Sequence, residues 1–332
     1  MKLVYRVVFA IVLILTHLSI YANDSMFVTT ASGLVPTKEQ STPIILRKEN
    51  LYLTLHRLDF SVKVEYVFYN PAEDFVAEVG FPIRIKSQNV DLNQDRDYIK
   101  DFKTYVNSAE VGFRKITNPV IVTKSQPAYV LRTLEQWYIK TVMFRAYSET
   151  QVTVEYTSGY GSAGIPSRYA TYYYGSGNTW KSGIEALNLF VQAPDDNIIG
   201  KLEAPFLKGN VGPQWIDAET WKMSFVNLRP ESDDEINISK TDIGTLDYGD
   251  YFSDDSRNVD YLNFSFLTKS QLALVRNGFY ARLSYKFKSE YLAEFFKKNL
   301  FEYKPMYTNV DSSIGKNQRK IIELIRDEES RR

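Results

Sequence analysis

From Leu51 to Leu267 apolar and polar residues alternate in short runs, whereas past Thr268 the apolar positions recur every three or four residues. The first pattern is that of half-buried strands. In Ser61–Tyr66, Val62, Val64 and Tyr66 fall on one face and Ser61, Lys63 and Glu65 on the other. Similar runs, rich in aromatic and β-branched residues, occur at 75–83, 137–144, 150–157, 186–193, 221–228 and 261–267. The Asn-Pro-Ala-Glu-Asp stretch at 70–74 reads as a turn, so the runs on either side of it are expected to form a hairpin. No helical period is sustained between these strands, which argues against a parallel α/β sheet and for a sandwich or barrel, and an antiparallel, sandwich-like β domain is expected.

Thr268 and Gln271 have the spacing of a capping box, and Leu272, Val275 and Phe279 follow on one helical face. A second helix is predicted after Ser289, carrying Leu292, Phe295 and Phe296 and ending on Lys297 and Lys298, cations suited to the negative end of a helix dipole. A third runs from about Lys316 to Glu329 with Ile321, Ile322 and Ile325 inward. Phe279, Phe287 and Phe296 are the expected core of this unit. The chain thus divides into a leader (1–22), a mainly β domain (23–267) and a small all-α module (268–332).

The leader is read from Lys2 and Arg6, an apolar stretch from Val7 to Leu15, and Ser-Ile-Tyr-Ala before Asn23. Its apolar stretch falls short of the roughly 20 residues that span a bilayer, so cleavage after Ala22 is expected, with no integral membrane span afterwards. The predicted address is the periplasm or the cell exterior. There is no cysteine, which excludes disulfides, thiolate metal sites and thiol chemistry. Charge is divided unevenly: 24 basic against 32 acidic residues over 23–267, and 14 against 8 over 268–332.

Candidate chemistry is sparse. Beyond the leader His56 is the one histidine, and no nucleophile elbow accompanies it. Residues 231–260 carry ten carboxylates, including Asp234, Glu235 and Asp242, whose oxygens suit a structural calcium ion but whose spacing is not that of an EF-hand loop. The same carboxylates leave open a glycoside-hydrolase reading. The segment 156–180 is rich in Tyr, Gly and Ser, a composition of binding loops that nominates Tyr172, Tyr174 and Trp180 as ligand contacts, with an ordinary strand as the alternative. In the helical unit Arg276, Arg282, Lys286, Lys288, Lys297 and Lys298 interleave with Tyr280 and Tyr285. That mixture fits an anionic cell-envelope polymer or envelope protein; export removes nucleic acid as a partner.

The stretch RNGFYARLSYKF at 276–287, with Leu272 and Leu274 before it and Phe295, Phe296, Tyr303 and Pro305 after it, resembles the YARHG domain. Leu283 and Ser284 stand where that family has His-Gly. The resemblance implies an extracellular module without established catalysis. Residues 23–230, from Asn-Asp-Ser through SGLVPTK, the 49–71 segment and VGFPI, are similar to an uncharacterised family of secreted bacterial domains, which implies a sheet-rich fold. The sequence therefore points to a secreted, non-enzymatic envelope-binding protein without a catalytic cofactor; the alternative is an Asp/Glu-dependent hydrolase of an envelope polymer.

Overall fold

The computed structural model describes residues 19–22, 25–30, 33–36, 43–88, 92–126, 129–162, 168–203, 213–231, 234–246, 248 and 264–332. Among the described residues three sheets account for the strands up to Asp242. The largest runs in the order β17 (Gln214–Trp215), β18 (Thr220–Leu228), β15 (Ile184–Gln192), β4 (Ile45–Leu55), β5 (Asp59–Asn70), β12 (Ser148–Gly159), β7 (Ile99–Val106) and β8 (Ala109–Glu110). The second runs β10 (Ile121–Gln126), β11 (Tyr129–Phe144), β6 (Phe75–Gln88), β2 (Ser25–Thr30) and β3 (Gly33–Pro36), with β1 (Ser19–Ala22) beside β6 and β9 (Arg114–Thr117) beside β11. A four-stranded sheet, β13 (Gly161–Ser162), β14 (Arg168–Tyr173), β19 (Glu235–Asp242) and β16 (Ile198–Glu203), completes the set. Neighbours are antiparallel except β4 and β15.

The layers follow from the alternation. On β5 the inward set is Phe60, Val62, Val64, Tyr66 and Phe68, all buried. These meet the second sheet, where Phe68 packs edge-on against Phe144 at 5.7 Å and Phe81 lies 5.5 Å from Tyr156 of β12. The four-stranded sheet covers the rest of the same inner face. Its Tyr172 reaches Glu49 of β4, and Arg84 of β6 lies 4.8 Å over its Tyr173, so the two smaller sheets sit side by side opposite the large one. The result is the mainly β sandwich that the period predicts, with the helices at the C-terminal end.

Two local expectations are overturned. The runs flanking residues 70–74 do not pair: β5 lies between β4 and β12, while β6 lies against β11 in the facing sheet. The turn carries the chain across the sandwich, and Asn70 fixes it by accepting from Ala72 N–H and donating to the carbonyls of Glu73 and Phe144. With both edges of β5 already taken, a hairpin with β6 has no free ladder. The run at 261–267 is not a strand either, since Phe264–Phe266 form a 3-10 turn; 261–263 lie outside the described residues.

The helical part holds α1 (Lys269–Arg282), α2 (Glu290–Asn299) and α3 (Lys316–Arg331). Thr268 accepts from Gln271 N–H at 3.1 Å and Gln271 Oε1 accepts from Thr268 N–H at 3.0 Å, the reciprocal capping box. Phe279 and Phe296 are core residues and Phe287 is partly buried against them. Their cluster does not close on itself: Ile199 of β16, Ile243 and Tyr248 belong to it. Gly278 is what lets α1 approach this closely, because a Cβ there would sit inside the Tyr248 ring.

Candidate functional site

The docking of α1 and α2 against the β15–β16 turn leaves an open cleft of about 580 Å3 between sandwich and helices. The turn is built by Asp195, whose carboxylate accepts from Asn197 N–H at 2.9 Å and whose carbonyl accepts from Ile198 N–H at 2.8 Å. That leaves Asp196 at the tip to face the helices. Its two oxygens accept from Ser270 Oγ of α1 at 3.2 Å and from the Tyr291 hydroxyl of α2 at 2.9 Å, tying both helices to one carboxylate. Partial burial and then the Asp196 hydrogen bond push the Tyr291 phenol up to about 12. It is therefore a standing hydrogen-bond donor at neutral pH.

Asp195, Asp196, Glu219 and Asp242 contribute carboxylates from the sandwich side of this cleft, and Glu290 and Glu294 add two from α2. Against these six stand Arg57 and Lys298. Asp242 is offset by the buried Lys240 ammonium at 2.7 Å, which also donates to the Arg57 carbonyl at 3.2 Å. Tyr291 and Phe295 supply an aromatic patch between the carboxylates. A concave, negatively charged surface with an aromatic wall favours a ligand that carries amines on an apolar body.

Of the residues singled out in the sequence, Asp242 and Lys298 line this cleft, and the others fall elsewhere. Tyr172, Tyr174 and Trp180, nominated as ligand contacts, are at most 2% exposed and belong to the sandwich core. The Tyr172 hydroxyl donates to Glu49 Oε1 at 2.7 Å and lies 3.0 Å from the Tyr66 hydroxyl, while Trp180 packs on Phe68 at 4.5 Å. From Ala170 to Tyr173 β14 is buried on both faces, so Tyr172 offers no surface to a ligand.

Arg276 is committed to Glu329 of α3 at 2.9 and 3.2 Å and acts as an internal tie. Tyr280 and Tyr285 are half-buried and touch each other at 6.0 Å. Arg282, Lys286, Lys288, Lys297 and Lys298 are exposed, and of these Lys298 borders the cleft. His56 Nε2 lies 3.2 Å from Ser61 Oγ across the β4–β5 hairpin.

Within the acidic segment 231–260, whose oxygens would suit a structural calcium ion, residues 232–233, 247 and 249–260 lie outside the described residues, and Asp234 is engaged in its own turn, accepting from Glu231 N–H at 2.8 Å. No group of three or more metal-ligating side chains occurs among the described residues. Nor do the described carboxylates of 231–260 meet Tyr172–Tyr174 in an open cleft; the tyrosines are interior.

The cleft itself escaped sequence reading. Glu219 lies about 70 residues before Tyr291 and Phe295, which share α2, and one local signal, the Pro-Asp-Asp-Asn turn at 194–197, marks the sandwich side of the cleft.

This architecture defines a β-sandwich protein with a docked C-terminal helical module. Residues 251–330 are a YARHG domain, and residues 22–125 match a domain of unknown function, DUF4424. None of the curated proteins matches the chain. Among solved structures, a candidate nutrient-binding protein of Legionella pneumophila is similar over 94% of this chain and 99% of its own, at 15% identity and a TM-score of 0.51. An M1 zinc metallopeptidase of Deinococcus radiodurans is similar over 59% of this chain and 42% of its own, at 10% identity and a TM-score of 0.26. The first of these shares the fold. No helix among the described residues is long and apolar enough to cross a membrane.

Proposed function

We propose that the chain is an exported, non-enzymatic binding protein of the cell envelope whose ligand enters the cleft between sandwich and helices. One observation carries this reading: six carboxylates and an aromatic wall converge, from both units, on one concave surface at their junction. Ligand sites concentrate at such junctions. The ligand class that fits is a cationic one, an oligoamine or an amine-bearing peptide or sugar, held by carboxylates at its amines and by Tyr291 and Phe295 along its body. A nutrient-binding role, as the Legionella protein's description has it, is of the same kind. Export is supported by the leader pattern at 1–22, whose last residues Ser19–Ala22 pair with β6 in the uncleaved chain and would leave that edge on cleavage, and by the YARHG domain.

Calorimetric titration with spermidine as the probe tests the reading, with the polyanion polygalacturonate as a control. Spermidine should bind, weaken with added salt, and lose at least roughly tenfold in affinity in a Glu219→Gln, Glu290→Gln, Glu294→Gln variant, on the scale of one charge-assisted contact or more. Binding unaltered in that variant, or confined to the polyanion, refutes the cleft as the site. Release of cleaved product during the titration would support a hydrolase instead.

A further inference from the structure

The loop between α2 and α3 carries a surface that the cleft does not use. Phe301 is 83% exposed, the highest value among the large hydrophobic side chains described, and Met306 and Tyr307 on the same loop are 61% and 54% exposed. These side chains are held out by a fixed backbone. Glu302 adopts a left-handed conformation with φ 67°, which turns the chain sharply behind Phe301. Tyr303 is buried at the next position, and its hydroxyl donates to the Tyr285 carbonyl at 2.8 Å.

From there the loop runs beside residues 284–286. Met306 and Tyr307 N–H donate to the Ser284 carbonyl at 2.8 and 3.0 Å, and Lys286 N–H donates to the Tyr307 carbonyl at 2.7 Å. The apolar tip is thus part of a small braced platform. Exposed lysines lie on the segments that meet there: Lys286, whose backbone pairs with Tyr307, Lys288 two residues on, Lys304 on the loop itself, and Lys297 in the last turn of α2, where it also lies 3.8 Å from Glu294.

We propose that this platform docks on an anionic lipid bilayer, with Phe301 and Met306 entering the interface and the lysines meeting the headgroups. A basic rim around protruding aromatic and apolar side chains is the arrangement such surfaces bind, by apolar burial together with attraction to anionic lipid. Two other occupants fit less well. A hydrated anionic polysaccharide would satisfy the lysines but gives Phe301 nothing to bury against. A second copy meeting through a two-fold axis would set lysines against lysines. An acidic protein would also suit an apolar centre with a charged rim, and it is told apart from lipid by the vesicle comparison below, where it predicts no binding.

Vesicle flotation of the purified protein decides the matter, comparing vesicles of equimolar phosphatidylglycerol and phosphatidylcholine with pure phosphatidylcholine. Binding is expected to the anionic vesicles and to fall with salt. A Phe301→Ser, Met306→Ser variant should lose roughly tenfold or more in partitioning, and each of Lys286→Gln, Lys288→Gln, Lys297→Gln and Lys304→Gln about fivefold. All six side chains point to solvent, so melting should not change; if the double variant does not fold, Phe301→Trp provides the same test through a blue shift of its emission on adding anionic vesicles. Equal binding to both vesicle types, no binding, or no blue shift overturns the proposal. So does retention on polygalacturonate that Phe301→Ser leaves intact, or a change in sedimentation coefficient with Phe301→Ser in the absence of lipid.

Discussion

Replacing Gly278 by Ala puts two opposing effects against each other within one methyl group. In an exposed helix the change would stabilise by up to about 1 kcal/mol, because glycine is among the poorest residues for a helix interior. Here the new Cβ would fall on the ring of Tyr248, which is fully buried, packs edge-on to Phe279 at 5.3 Å and donates its hydroxyl to the Ile243 carbonyl at 3.1 Å. The ring's packing on Phe279 and its hydrogen bond to Ile243 resist displacement. If it is displaced, the loss resembles truncation of a buried aromatic, about 3–5 kcal/mol, so the net cost is about 2–4 kcal/mol. Urea denaturation followed by near-ultraviolet circular dichroism measures it, since Tyr248 and Phe279 report on the same packing. A variant as stable as the parent, or more so, would show that α1 is free to shift away from Tyr248 and that the close approach is not what the glycine is for.

Tyr172→Phe should cost about 1–3 kcal/mol in the same assay, because it removes the donor to Glu49 Oε1 in the sandwich core, and it should leave spermidine binding unchanged since the hydroxyl never reaches the cleft. Alkaline pH should unfold the protein. Burial holds the phenols of Tyr156, Tyr172 and Tyr248 far above the ordinary value of 10.0, and Tyr291 at about 12. Below pH 10 neither state loses these protons and their contribution is complete; above it the unfolded chain ionises first, so stability falls as pH rises from 10 towards 12 and beyond. Absorbance of phenolate at high pH should therefore rise in step with loss of structure, and a smooth independent titration of all tyrosines would refute it.

The parts legible in the sequence were those set by local period and local chemistry. Alternation on Ser61–Tyr66 gave the buried face of β5, and Thr268 with Gln271 gave the start of α1. Glu49 shows where this fails. It sits between Lys48 and Asn50 in a stretch that reads as polar, yet it is fully buried, because a bulge between Leu46 and Lys48 inserts one residue and turns Glu49 inward towards Tyr172. Composition left Tyr172–Tyr174 open between a binding loop and an ordinary strand; β14 takes up Tyr172 and Tyr173 between β13 and β19 and buries them, which composition does not reveal. A run at 70–74 declares a turn but not which strand it leads to; that is settled by β12, some 80 residues later in sequence, taking the edge of β5. The cleft was illegible for the same reason, since α2 meets the β15–β16 turn across about 95 residues of chain.

The shared core bears on whether helices and sandwich melt apart. Charge and period change together near residue 267, which by itself suggests two units with separate transitions. The packing says otherwise. Ile199, Ile243 and Tyr248 lie inside the helical cluster, and separating the units would return each of them to water at a cost of about 1.5–3 kcal/mol per large side chain. Polar ties add to this: Gln271 Nε2 donates to the Ile198 carbonyl at 2.6 Å, Gln318 Nε2 to the Tyr248 carbonyl at 3.1 Å, and Asp196 holds Ser270 and Tyr291. A helical unit of fewer than about 80 residues has only a few kcal/mol of its own to set against such losses, so it should not outlive its contact with the sandwich. Calorimetry should accordingly show one transition, with calorimetric and van't Hoff enthalpies in agreement. Two resolved transitions would mean that the interface contributes less than the helical unit's own core, and the cleft would then be a mobile junction instead of a preformed site.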